Sequence, residues 1–145
     1  MQQPSKKYRI GVEVTLDVIG GKWKSLILYH LVEGVKRYNE LKRLIPNVSP
    51  KMLTQQLREL ERDGLLIRRD YEEVPPRVEY ALSEYGSGLI DVLDFFCHWG
   101  EAHLDRVYGD RSLMLEDDFA DDEHREDPAV ERSAQTADSA ENSAR

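Results

Sequence analysis

Lys51, Gln55, Arg58 and Arg62 are side chains of types that recognise nucleic acid, and they recur at helical spacing. At about 100° per residue a helix over this stretch gathers them into one stripe, with Thr54 on its flank. Leu53, Leu57 and Leu60 fall on the opposite stripe. The chemistry such a face can do is recognition. On a helix in the DNA major groove, Lys and Gln near the N-terminal end reach base edges, and Arg further along reaches phosphate. A basic solvated face is the plain alternative for any such stripe. Its surroundings argue against that alternative: the stretch from Leu41 to Arg58 carries Lys42, Arg43, Lys51 and Arg58 and no acidic residue.

Competing chemistry is sparse. His30, His98, His103 and His124 are scattered along the chain. His98 and His103 are five apart, a poor spacing for one helical face, and no cysteine pair accompanies them, so no metal site is expected. His30 lies on an apolar helix face and reads as a satisfied core histidine. The sequence has no glycine-rich phosphate loop and no nucleophile motif, so neither a catalytic residue nor a cofactor is expected.

The elements that must position the stripe follow from periodicity. Val12, Leu16 and Ile19 recur at helical spacing and stop at Gly20-Gly21. Trp23, Leu26, Ile27, His30 and Leu31 mark a second amphipathic helix, ended by Gly34. Tyr38, Leu41, Leu44 and Ile45 mark a short third helix before Pro46. Ser49-Pro50 then supplies a capping residue and a proline at the first helical position, and Gly64 stops the fourth helix. The third helix and the Pro46-Asn47-Val48 turn fit a helix-turn-helix.

The period changes after Gly64. Residues 65–71 and 77–82 read as two short strands, and Pro75-Pro76 between them forces a loop. Arg68 and Arg69 enter this hairpin and Arg77 leaves it, giving a charged finger with Pro76 at its tip for the DNA backbone or minor groove. A last long helix is predicted from about Ser83-Glu84. The expected fold is mainly α with a small β-hairpin wing, a winged helix-turn-helix.

From Tyr85 to Leu104 the apolar residues cover roughly 220° of a helical wheel, more than a one-sided surface helix needs. A two-fold partner is the economical way to bury the excess, with the N-terminal helix contributing. Leu16, Leu89, Leu93, Phe96, Cys97 and Trp99 are the candidate seam. A homodimer also places two reading helices about one DNA turn apart, which predicts a pseudo-palindromic operator on double-stranded DNA.

The formal charge of -8 looks wrong for such a partner, but its distribution removes the objection. Residues 1–109 carry 16 basic and 16 acidic side chains, whereas 110–145 carry 4 and 12. A DNA-binding and dimerisation domain over 1–109 and an acidic tail without its own core over 110–145 are therefore expected. No run of about 20 apolar residues suggests a membrane span. The N-terminus does not read as a signal peptide, and the single Cys97 suits a reducing compartment. A cytoplasmic protein is the expectation.

Several runs together resemble the HxlR family of transcriptional regulators. They are Leu16-Asp17-Val18-Ile19-Gly20-Gly21-Lys22-Trp23, Tyr38-Asn39-Glu40-Leu41, Ile45-Pro46-Asn47-Val48-Ser49, the Leu53–Glu61 stretch, Val74-Pro75-Pro76-Arg77-Val78-Glu79-Tyr80 and Trp99-Gly100. The resemblance covers about residues 8 to 105. It implies a dimeric winged helix acting on operator DNA as repressor or activator, with oxidant or electrophile sensing in some members. Redox-responsive members resemble one another in a cysteine just before a Pro-Val-Glu run. Here that place reads Ile10-Gly11-Val12-Glu13, so thiol sensing is not implied, and Cys97 is expected to be a buried core thiol. A small-molecule effector between the dimer and DNA-binding helices would fit the same architecture. A protein–protein adaptor built on a degenerate winged helix is the other reading, which the polar stripe disfavours.

Overall fold

The computed structural model describes residues 6–116. Residues 1–100 form one unit and 101–145 a second. Most of the acidic tail, from residue 117 onward, lies outside the described residues. In the first unit α1 (Gly11–Ile19), α2 (Lys24–Val32), β1 (Lys36–Arg37), α3 (Tyr38–Leu44) and α4 (Pro50–Arg62) are followed by β2 (Leu66–Asp70) and β3 (Val78–Leu82). A single turn, α5 (Glu84–Ser87), leads into α6 (Ile90–Tyr108). The fold is the expected mainly helical one with a small wing.

Each helix boundary has a local cause. At α3, Glu40 reaches back to accept from the Arg37 backbone N–H at 3.1 Å, half of a capping box. At α4, Ser49 Oγ accepts from the Met52 N–H at 3.1 Å with Pro50 at the first position. Gly64, at φ +78°, closes that helix in the left-handed region where a side chain is strained. Its N–H bonds Glu61 O at 3.0 Å and Leu65 N–H bonds Leu60 O at 2.9 Å, satisfying the last carbonyls.

The sheet has three strands in the order β1-β3-β2, all antiparallel. Leu66 pairs Leu82 and Asp70 pairs Val78 along the hairpin. The sequence reading gave only this hairpin. Lys36 and Arg37 add a third strand opposite Tyr80 and Glu79, too short to show a period of two.

The core joins α2, α3, α4 and the sheet: Ile27, Leu28, Leu41, Leu53, Leu57, Leu60, Leu65 and Leu66 are all buried, with Leu93 from α6. Two expectations change here. On α2, Leu26 faces outward while Leu28 and Lys24 are buried, because Lys24 turns inward to an acidic partner on α4. The predicted long helix from Ser83 is two pieces. Between Gly86 and Leu89 the chain turns through short-range bonds, Gly88 N–H to Tyr85 O and Leu89 N–H to Gly86 O. Gly86 is buried with its backbone against the Leu65 carbonyl, where a Cβ would collide, so a glycine joint replaces a continuous helix.

In the second unit Gly109 ends α6 at φ +81°. Arg111 in the 3-10 turn Arg111–Leu113 reaches Glu101 at 2.6 Å and Asp105 at 2.7 Å, holding the Asp105 carboxyl below its usual range. No helix is long and apolar enough to cross a membrane among the described residues.

Candidate nucleic-acid interface

The α4 helix presents its two faces as its angles dictate. Leu53, Leu57 and Leu60 are buried, and Lys51, Gln55, Arg58 and Arg62 are exposed, with Thr54 half-buried on the flank. Burying three leucines at roughly 1.5–3 kcal/mol each holds the helix down and fixes which side faces out. Pro50, Lys51, Thr54, Gln55, Arg58 and Glu59 line a groove along the outer face. Arg62 Nε lies 3.3 Å from Asp63 Oδ1 at the C-terminal end of the helix.

The turn into α4 is built from α3. Lys42 Nζ donates to the Pro46 carbonyl at 3.2 Å, fastening the turn back onto α3. Tyr38 Oη donates to the Pro50 carbonyl at 3.1 Å, tying the start of α3 to the start of α4. Arg43 is exposed and lines a second groove with Arg37, Tyr38, Asn39, Pro76 and Val78. Sequence reasoning missed Arg37, since a two-residue strand leaves no periodic signal.

The wing brings some of its expected residues to this face and diverts others. Arg68 lines a cleft with Thr54, Leu57, Arg58, Glu61 and Tyr80, so Arg58 and Arg68 come together. Arg69, one residue on, points to the opposite side of the strand. Pro76 is exposed at the loop. Arg77 is half-buried: its guanidinium lies over the Tyr71 ring and 3.4 Å from Glu73 Oε1. With Glu72 and Glu73 exposed beside it, the tip is mixed in charge where a basic one was expected.

An ion pair not anticipated from sequence ties α4 to α2. Lys24 Nζ on α2 sits 2.7 Å from Glu59 Oε2 on α4, with Lys24 only 8% exposed. The Lys24 bond, with one from Gln55, holds the Glu59 carboxyl below the usual carboxylate range. His30 on α2 is buried, in a cavity it lines with Leu93, Phe96 and Cys97 of α6, and loss of solvation pushes its pKa down.

The candidate seam residues divide. Leu93 is 2% exposed and belongs to the chain's own core, and Leu89 packs against that core. Leu16, Phe96 and Trp99 stay 60%, 53% and 61% exposed, as do Ile10, Val12 and Phe95 at 62%, 61% and 67%. Cys97 is half-buried rather than buried; its thiol donates to Tyr29 Oη at 3.7 Å, and that contact pushes the Tyr29 hydroxyl up to about 12.

Known proteins are similar to this chain in sequence and fold. Residues 18–108 match the family model described as HxlR-like helix-turn-helix. An uncharacterized HTH-type transcriptional regulator of Bacillus subtilis strain 168, YtcD, is 57% identical over 122 residues, 84% of this chain and 97% of that protein. A crystal structure of the HTH-type regulator ytcD superposes with TM-score 0.65 at 59% identity, covering 68% of this chain and all of that one. The redox regulator HypR in its oxidized form superposes at 0.62 with 50% identity, covering 64% and 96%.

Proposed function

The chain belongs to the HxlR-like helix-turn-helix family, and on that footing we propose that it regulates transcription as a homodimer on a pseudo-palindromic operator. That it is a DNA-binding regulator of the helix-turn-helix type follows from the family and its relatives. The observation that carries the finer reading is the outer face of α4. Lys51, Gln55, Arg58 and Arg62 are exposed in a row, opposite leucines that cannot leave the core. Inserted in the major groove, Lys51 and Gln55 meet base edges while Arg58 and Arg62 meet phosphates. Ser49 and Thr54 flank the entering end. Lys42 and Arg43 on α3, with Arg68 and Pro76 on the wing, extend the contact along the backbone, and Arg69 faces away from it toward Tyr71. Arg77 supports it by shaping the wing.

The dimer rests on unpartnered apolar surface. Leu16 on α1 and Phe95, Phe96 and Trp99 on α6 are large side chains left half or more exposed in one chain. A second copy related by a two-fold axis covers such a face and sets two reading helices side by side. An apolar cavity of about 360 Å³, lined by Leu26, Tyr29, His30, Leu93, Phe96 and Cys97, leaves room for a small-molecule effector. The proposed site of action is the cytoplasm.

Fluorescence anisotropy tests the reading, with DNA upstream of the chain's own gene against a shuffled duplex across a salt series. Tight, salt-sensitive preference for the upstream DNA with one dimer per site is the expected result. Equal weak binding to both duplexes would remove autoregulation and direct the search to a distant operator.

A further inference from the structure

Glu59 is out of place on a DNA-facing helix, since a carboxylate in the groove with Lys51, Gln55 and Arg58 repels phosphate. Its contacts account for its presence. One oxygen, Oε2, takes the Lys24 ammonium at 2.7 Å. Gln56 Nε2 approaches the same oxygen at 3.5 Å. The other oxygen, Oε1, faces Gln55 Nε2 at 3.4 Å.

A glutamine side chain has a donor end and an acceptor end, and a rotation exchanges them at almost no cost in shape. An unrestrained Gln55 can therefore offer either end to a base. A carboxylate beside it removes that freedom, because it accepts only the donor end. With Nε2 turned to Glu59, Gln55 Oε1 is left to accept outward. In the major groove the base edges that offer a donor are adenine N6 and cytosine N4, and guanine O6 and thymine O4 do not. The second hydrogen of Nε2 remains available, which suits the paired N6/N7 edge of adenine.

We infer that Glu59 is a positioning residue for specificity: it fixes which end of the Gln55 amide meets the base, and Lys24 neutralises the charge that would otherwise repel the duplex. The inference rests on the proposed role of α4 as the reading helix. Lys24 carries this second duty from α2, which sets the electrostatics of a base contact from the far side of the reading helix.

The test is selection of preferred sites from a randomised duplex library by the full chain, comparing wild type with two double variants. Lys24→Met/Glu59→Gln and Lys24→Met/Glu59→Leu both delete the buried charge pair without leaving one member uncompensated. Neither keeps an acceptor-only group beside Gln55, since a glutamine at 59 can turn either end of its amide to it, whereas Lys24→Arg keeps the carboxylate and its paired cation. A further variant, Gln55→Ala, identifies the base position that Gln55 reads. Wild type and Lys24→Arg are expected to enrich adenine or cytosine there. Both double variants should lose that preference by about fivefold or more while other positions stay unchanged. Wild-type preference kept in either double variant, or lost in Lys24→Arg, overturns the positioning role. Failure of wild type to enrich any motif overturns the reading-helix proposal itself, and is thereby distinct.

Discussion

The Arg77 guanidinium carbon lies 3.6 Å from the centre of the Tyr71 ring, and the hydroxyl of that ring donates to Glu79 Oε2 at 2.8 Å. The two ends of the wing loop are thereby joined face to face, with Glu73 closing on Arg77 at 3.4 Å. Arg77→Ala is expected to loosen residues 71–77, seen as faster amide hydrogen exchange confined to the loop. A stack of this kind contributes on the order of 0.5–2 kcal/mol. Arg77→Lys keeps the charge and loses the planar stack, so it should resemble the alanine variant in exchange. If lysine restored full protection, the charge and not the stack would be holding the loop.

The base-reading and phosphate-binding roles proposed for α4 are separable by experiment. Gln55→Ala or Lys51→Ala should cost about 1–3 kcal/mol on a preferred site and much less on random duplex. Arg58→Ala should weaken both alike and reduce the slope of log affinity against log salt by about one. Anisotropy titrations at several salt concentrations give both quantities. Equal losses of Gln55→Ala on the two duplexes would end its role as a base reader.

The exposed and buried members of the α6 apolar set should respond oppositely. Trp99→Glu is expected to leave far-ultraviolet dichroism and urea midpoint near wild type while shifting sedimentation to a monomer. Leu93→Ala, buried in the core of one chain, should cost about 2–5 kcal/mol of stability. A Trp99→Glu protein that still sediments as a dimer would place the seam elsewhere.

Stability should fall on mild acidification because of His30. Burial lowers its pKa from the ordinary 6.5, so below that value the unfolded chain takes up the proton before the folded one does. The stability of the neutral, buried form is complete above pH 6.5 and is lost as pH drops from there toward the folded pKa. Urea midpoints between pH 7.5 and about 5.5 should decline in wild type and flatten in His30→Gln. An unchanged slope in that variant would assign the decline to other groups.

The reading helix was legible in the sequence because every local signal agreed. Ser49-Pro50 started it, Gly64 ended it, and Leu53, Leu57 and Leu60 set its inner face. Features that depend on neighbours distant in the chain were not legible. Gly86 interrupts the last helix because Leu65 crosses there. Lys24 is buried because Glu59 waits 35 residues on, and nothing in the local pattern of α2 signals it. Arg77 turns to Tyr71 for the same reason: its partner is adjacent only once the hairpin closes. Leu93 and Phe96, three apart on one helix, were assigned together, yet only the first is needed by the core of its own chain.

Lys36 and Arg37 pair with Tyr80 and Glu79 on β3, and the next residue, Tyr38, opens α3 and bonds the head of α4. The sheet and the head of α4 are thereby fastened through one short run of chain. On the proposed duplex, a tilt of the hairpin would be passed to α4 through that fastening. Irregularity within a proposed half-site would then weigh on the wing and on α4 together.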